Sequence, residues 1–227
     1  MSRLMMLLVV LTAASATCLA AAPAVVDVQG LYEGTLTGAG AGAAQKFEAR
    51  VVALGKGAYK VFIRETAADG KLTKIELDGN TAGDAVTFTG KTDAGDWAAT
   101  YADGKITGTA GKSGKVEMKR VVRVSPTMGA KCPEGGIQLL DGKNFDQVER
   151  RPDKEGKLPD WKVAADGGVT VPKGGITSKQ TFAGSFKLHV EFKNPLMPEA
   201  RSQARGNSGC FMPNGNEVQV LDSFGMT

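Results

Sequence analysis

Glu217, Gln219 and Asp222 lie within Glu217-Val-Gln-Val-Leu-Asp222, directly after a Pro213-Asn-Gly-Asn216 turn, and Arg205-Gly-Asn-Ser-Gly-Cys-Phe-Met212 leads into that turn. Asn214-Gly215 between two extended runs predicts a β-hairpin, because a tight primed turn needs positive φ at positions that only Asn and Gly take cheaply. In the second arm Glu217, Gln219 and Leu221 share one face, while Val218, Val220 and Asp222 share the other. A valine row facing a core and a Glu/Gln row facing outward is how a half-buried strand, or a sugar-binding sheet, presents its groups. Glu217 is the candidate base or acid, and Gln219 can hold a hydroxyl. Asp222 joins them if a one-residue bulge at Leu221 turns it back to the polar face. Arg205 and Asn207 supply donors for a carbonyl or hydroxyl oxygen, the arginine as a permanent charge suited to an oxyanion.

A second group sits on the run Phe182 to Lys193. Phe186, Leu188, Val190 and Phe192 form one row, and Lys187, His189, Glu191 and Lys193 form the other, which predicts a strand with a core face and a polar face. His189 and Glu191 are then a candidate pair for proton transfer or metal ligation. The competing reading is structural: a solvated histidine, Glu191 paired with Lys193 or Arg205, and Arg205 anchoring a loop. Ser208 has no histidine partner that would make it a nucleophile.

The 227 residues suffice for one large or two small domains. Residues 1–24 read as a secretory signal peptide, with Arg3 as the positive region, Leu4 to Leu11 as the apolar region and small residues up to Ala24 for cleavage. The apolar run is too short to span a bilayer, so no integral membrane span is expected after cleavage, and the expected location is periplasmic or secreted. Loss of Arg3 lowers the formal net charge from +4 to about +3, dispersed along the chain. That excludes a nucleic-acid footprint. Cys132 and Cys210 remain, as one pairing or as two thiols.

Residues 27–123 alternate short extended runs with Gly, Asp and Asn. Strands are predicted at 31–37, 46–54, 59–65, 73–77, 85–89, 97–101, 105–109 and 116–122, with turns at Asp69-Gly70, Asp78-Gly79-Asn80 and Asp103-Gly104. This is an all-β amino-terminal domain, an antiparallel meander closing as a barrel or sandwich. Tyr32, Tyr59, Trp97 and Tyr101 suit either a sugar surface or a core, and residues of this kind in short strands more often form core. Residues 124–136 form a linker broken by Pro126, Gly129 and Pro133. Ile137 to Asp146 reads as a strand entering an Asp141-Gly142 turn, and short strands follow at Trp161 to Val163, Gly168 to Val171 and Gly175 to Ser178, with a polar loop from Arg150 to Pro159.

Leu139-Leu-Asp-Gly-Lys143, Trp161-Lys-Val163, Phe186-Lys-Leu-His-Val-Glu-Phe192, Arg205-Gly-Asn-Ser-Gly209 and Glu217-Val-Gln-Val-Leu-Asp222 together resemble the 3-keto-disaccharide hydrolase (3-keto-glucoside 1,2-lyase/hydratase) domain, and the first domain resembles the amino-terminal part of planctomycete-type members. The resemblance implies that residues 137–227 are a partial concanavalin-like jelly roll, truncated at the C-terminus, whose concave sheet binds an oligosaccharide or glycoside. It implies cleavage of 3-keto glycosides by abstraction of the C2 proton, acidified by the neighbouring carbonyl, then loss of the C1 substituent and hydration of the enone. Such a route needs a base, a group for the enolate oxygen and an acid for the leaving oxygen. No cofactor is required; a divalent cation is compatible with such sheets, although no compact run of oxygen ligands is present. The Glu-x-Gln-x-x-Asp spacing is also similar to the Glu-x-Asp-x-x-Glu strand of laminarinase-like retaining glycosidases, which need two carboxyl groups about 5 to 5.5 Å apart. A non-catalytic carbohydrate-binding or cell-surface module is the third reading, since fold alone does not give function.

Overall fold

The computed structural model describes residues 22–38, 44–66, 72–93 and 95–226. The expected signal peptide, Cys18 and the Asp69-Gly70 turn lie wholly or mostly outside them. The chain divides into two compact units: one takes the residues through Arg123 with Asn194–Ser208 and those from Val220 on, the other takes Val124–Lys193 and Gly209–Gln219.

In the first unit every strand expected between Val28 and Arg123 forms: β1 (Gly30–Thr37), β2 (Gln45–Gly55), β3 (Ala58–Thr66), β4 (Leu72–Ala82), β5 (Ala85–Thr92), β6 (Gly95–Ala102), β7 (Lys105–Ala110) and β8 (Gly114–Val121). Each pairs antiparallel with the next, and β1 pairs with β8 from Leu31↔Val121 to Thr37↔Lys115, so the meander closes as an eight-stranded barrel. Of the two arrangements that alternation allows, barrel or sandwich, the chain takes the closed one, which buries the apolar face of each strand without leaving an edge. Asp103-Gly104 makes the expected two-residue hairpin turn, with φ of 48° and 77°.

The barrel interior is filled by side chains. Tyr32, Val51, Val61, Ile63, Leu77, Val86, Phe88, Ile106 and Met118 are all buried to within 2%. Tyr59, Trp97 and Tyr101 join this core, so these three and Tyr32 are packing residues and not a sugar platform. A single helical turn, α1 (Val25–Val28), packs into it: Val28 is fully buried, Tyr32 Oη donates to Val28 O (2.7 Å) and Tyr101 Oη donates to Asp27 O (3.1 Å).

One expectation is overturned here. Asp78-Gly79-Asn80 is not a turn but the middle of β4, and the chain reverses at Gly83-Asp84 instead. The cause is packing: a Cβ on Gly79 would stand 2.5 Å from Phe88 Cδ1 and 3.0 Å from Tyr59 Cβ, so the glycine makes room for the ring on the neighbouring strand. Asp78 is used as a strand residue too, accepting from Lys60 Nζ on β3 at 2.9 Å.

Burial, with repulsion from the Tyr101 phenol as a lesser cause, raises the Tyr32 phenol well above its ordinary value near 10. The folded barrel therefore holds this proton more tightly than the unfolded chain. Its contribution is fully present below about pH 10 and is lost as pH rises beyond it. Tyr32→Phe is expected to cost about 1 kcal/mol at neutral pH through the lost bond to Val28, and to flatten the decline in melting temperature above about pH 10. Thermal melts of both proteins across the alkaline range check this; parallel curves would reject it.

The second unit holds three two-stranded ladders. β9 (Val148–Arg151) pairs with β12 (Gly175–Ser178), β10 (Lys162–Val163) with β11 (Val169–Thr170), and β13 (Ser208–Phe211) with β14 (Glu217–Val220), the last ladder running into the first unit at Ser208 and Val220. Two expected strands are absent. The strand expected from Ile137 is irregular chain, whereas the expected Asp141-Gly142 turn does form, with Asp141 Oδ1 accepting from the amides of Lys143 and Asn144 and Gly142 at a φ of 72°. Phe182 to Lys193 also lies outside every ladder. Its alternation is that of a strand, but a strand exists only against a neighbour, and no described residue supplies the facing hydrogen bonds. Conversely β9 falls at the edge of the supposed polar loop, fixed by its register with Gly175–Ser178 and not by its own pattern.

Candidate functional site

The hairpin forms, but not through the expected primed Asn-Gly turn: Pro213 and Asn214 are the central residues of the turn, and of Asn214 and Gly215 only Gly215 has a positive φ. Met212 N donates to Asn216 O (2.8 Å), Gly215 N donates to Met212 O (2.9 Å), and Gly215 takes φ of 83°, which explains the need for glycine there. Glu217 opens β14 and is exposed, and among the described residues it makes no ion pair. Its carboxylate lies over Gly209 of the facing strand, where any Cβ would collide with Oε1 and would come 2.8 Å from Cγ. Gly209 is thus the seat of Glu217, a role that the sequence signals only as a glycine inside an extended run. Gln219 shares the exposed face of β14. The expected valine core row does not hold, since Val218 is 59% exposed and only Val220 is buried.

His189 and Glu191, also in the second unit, are brought together: Nε2 and Oε1 are 3.0 Å apart, and Glu191 Oε1 further accepts from Gly129 N at 2.6 Å. The imidazole, and after it the Gly129 amide, hold the Glu191 carboxyl below the usual carboxylate range. Both side chains are open to water. The pair can pass a proton, with the carboxylate orienting the ring.

Arg205, Asn207 and Asp222 belong to the first unit. Arg205 is 4% exposed, and its Nε donates to Asp222 Oδ2 at 2.6 Å. Asp222 N donates to Arg205 O (3.2 Å), while Asp222 Oδ1 accepts from Phe224 N (3.1 Å). Asn194, with its amide oriented to donate to Gly206 O (3.2 Å) and accept from Asp222 N (3.1 Å), closes the knot. No bulge at Leu221 is involved: β14 ends at Val220 and Asp222 turns inward to the arginine. These two residues hold each other and pin the segments 194–208 and 220–226. Arg201 adds a bond from Nη2 to Leu54 O (3.0 Å).

The same segments line a cleft of about 420 Å³ with Leu31, Glu48, Arg50 and Arg123. Its charges are already matched, because Arg123 meets Glu48 at 2.9 Å and Glu33 at 3.3 Å, and Arg50 meets Glu48 at 3.5 Å. No protein-family model, no curated protein and no solved structure matches the chain.

Among the described residues no group of three or more His, Cys, Asp and Glu side chains is placed to hold a metal ion. Cys132 is exposed and Cys210 half-buried, and both are free thiols. No helix of the described residues is long and apolar enough to cross a membrane.

Proposed function

We propose that the protein is an exported carbohydrate-active enzyme that cleaves 3-keto glycosides, abstracting the C2 proton, expelling the C1 substituent and hydrating the resulting enone. The observation that carries this reading is Glu217: a carboxylate on an exposed strand face, seated over Gly209 and, among the described residues, committed to no ion pair, within the motif order described above. A carboxylate suits the base because the neighbouring ketone makes the C2 hydrogen acidic, so a weak base in the right place is enough. Gln219 on the same face supplies a hydroxyl contact, and the His189–Glu191 pair supplies a proton donor for the leaving oxygen. Arg205 and Asp222 are assigned to holding the fold.

The packed barrel core counts in favour of chemistry in the second unit, since Tyr32, Tyr59, Trp97 and Tyr101 are buried at 7% exposure or less. The retaining-glycosidase reading loses support because Asp222, its second carboxylate, spends both oxygens on Arg205 and the Phe224 amide. The test is incubation with a 3-keto disaccharide and, in parallel, with a β-glucan. Release from the keto sugar alone is expected, and Glu217→Gln should lower it about 100-fold or more, the usual size of a lost general base. Release from the β-glucan alone, or unchanged keto-sugar turnover in Glu217→Gln, would reject the proposal. Sugar binding with no turnover in the parent protein would point to a binding module.

A further inference from the structure

The run Phe186-Lys-Leu-His-Val-Glu-Phe192 is complementary to itself in the antiparallel sense. Reversed about His189, Phe186 meets Phe192, Lys187 meets Glu191 and Leu188 meets Val190. Apart from His189, which meets its own copy on the axis, every position then faces either a like apolar side chain or the opposite charge, and both Lys–Glu pairs form together.

The structure leaves this run ready for such a mate. It joins no ladder, and among the described residues its backbone makes no backbone–backbone hydrogen bond. Phe186, Leu188, Val190 and Phe192 are 43%, 46%, 46% and 58% exposed. The His189–Glu191 contact places two side chains of an i, i+2 pair on one side, as extended chain does. Extended chain with open N–H and C=O groups is a template for another strand.

We infer that the protein self-associates through residues 186–192, two copies pairing antiparallel about a two-fold axis at His189. The second copy is the occupant because the match in charge and apolarity at the six positions flanking His189 is a match of the sequence to its own reverse, which is what an isologous contact requires. Opposite charges and apolar groups set directly across a ladder are the pairs that stabilise it, and like charges across it disfavour it. Glu191, held ionised by His189 and the Gly129 amide, is a suitable mate for a lysine. The shared area is small, so association is weak and rises with concentration. The inference does not depend on the proposed activity, because its test reads mass and not turnover.

Sedimentation velocity of the whole protein over rising concentration is expected to show the mass doubling. Lys187→Glu and Glu191→Lys each set like charges across the ladder and should each stay monomeric. Mixed in equal amounts they should regain the doubled mass, because position 187 of one variant then faces position 191 of the other with opposite sign at both ends. Near-ultraviolet circular dichroism of the barrel aromatics confirms that the variants fold. A monomer at every concentration, a dimer that persists in both single variants, or a mixture that stays monomeric would each overturn the inference.

Discussion

Asp222→Ala will release the segment Val220–Met226 from the barrel while the barrel keeps its own melting temperature. Removing this carboxylate leaves the Arg205 guanidinium buried and uncompensated, and breaking such a pair costs about 3–5 kcal/mol. The burden falls on the segment and not on the barrel, because the barrel is closed by its own ladder and the segment lies outside it. The chain therefore relieves the stranded charge by local opening, which is cheaper than global unfolding. Val52 reports the change. It points away from a barrel interior built by Phe47, Ala49, Val51 and Ala53, yet it is only 3% exposed, because Gly225 lies so close that a Cβ there would come within 2.9 Å of Val52 Cγ1.

The expected signature is faster hydrogen exchange at the amides of Asp222 and Phe224 and quicker tryptic cleavage at Arg201 and Arg205, with exchange in β5 to β7 unchanged. The double variant Arg205→Met, Asp222→Leu should keep the segment in place, since two apolar groups of similar size replace a pair whose Arg205 Nη2 is buried without a partner. Unchanged protection in Asp222→Ala would refute the assignment of a fastening role to this pair.

Phe88→Ala will lower the stability of the barrel by about 3–5 kcal/mol, among the largest effects of any single core change. Phe88 is fully buried, its ring meets Tyr59 edge-on at 6.3 Å and 69°, and it lies over Gly79 on the neighbouring strand. For a domain of this size that is a fall in melting temperature of roughly 15–30 °C. The partner position provides the control. Gly79→Ala pushes a methyl group into the ring and should cost about 1–3 kcal/mol alone. In the background of Phe88→Ala the same methyl group enters vacated space, so the double variant should be more stable than the sum of the two losses. Additive losses in denaturant melts would show that glycine at this position does not serve the ring.

The candidate site shows how far local pattern reaches. The hairpin and the exposed Glu217 face follow from side-chain alternation and from the cost of positive φ, both properties of a few adjacent residues. Gly209 beneath Glu217 does not follow, because its role depends on which residue the opposite arm sets across from it. The Arg205–Asp222 bond joins residues 17 apart, and neither residue differs in its neighbours from a pair exposed on a strand. Only burial by the first unit makes that bond the better use of both charges.

The sequence by itself determined the eight strands of the barrel, their order and the burial of Tyr32, Tyr59, Trp97 and Tyr101, since period-two alternation and turn residues act over short distances. Tertiary structure alone decided what depends on a partner across space. It made Asp78-Gly79-Asn80 a strand because Phe88 needed the room, made a strand of Val148–Arg151 because Gly175–Ser178 faced it, and left Phe182 to Lys193 outside any ladder despite its strand pattern. A strand is half of an interaction: one sequence can fix which face is apolar, and only the neighbour supplies the hydrogen bonds that make it a strand.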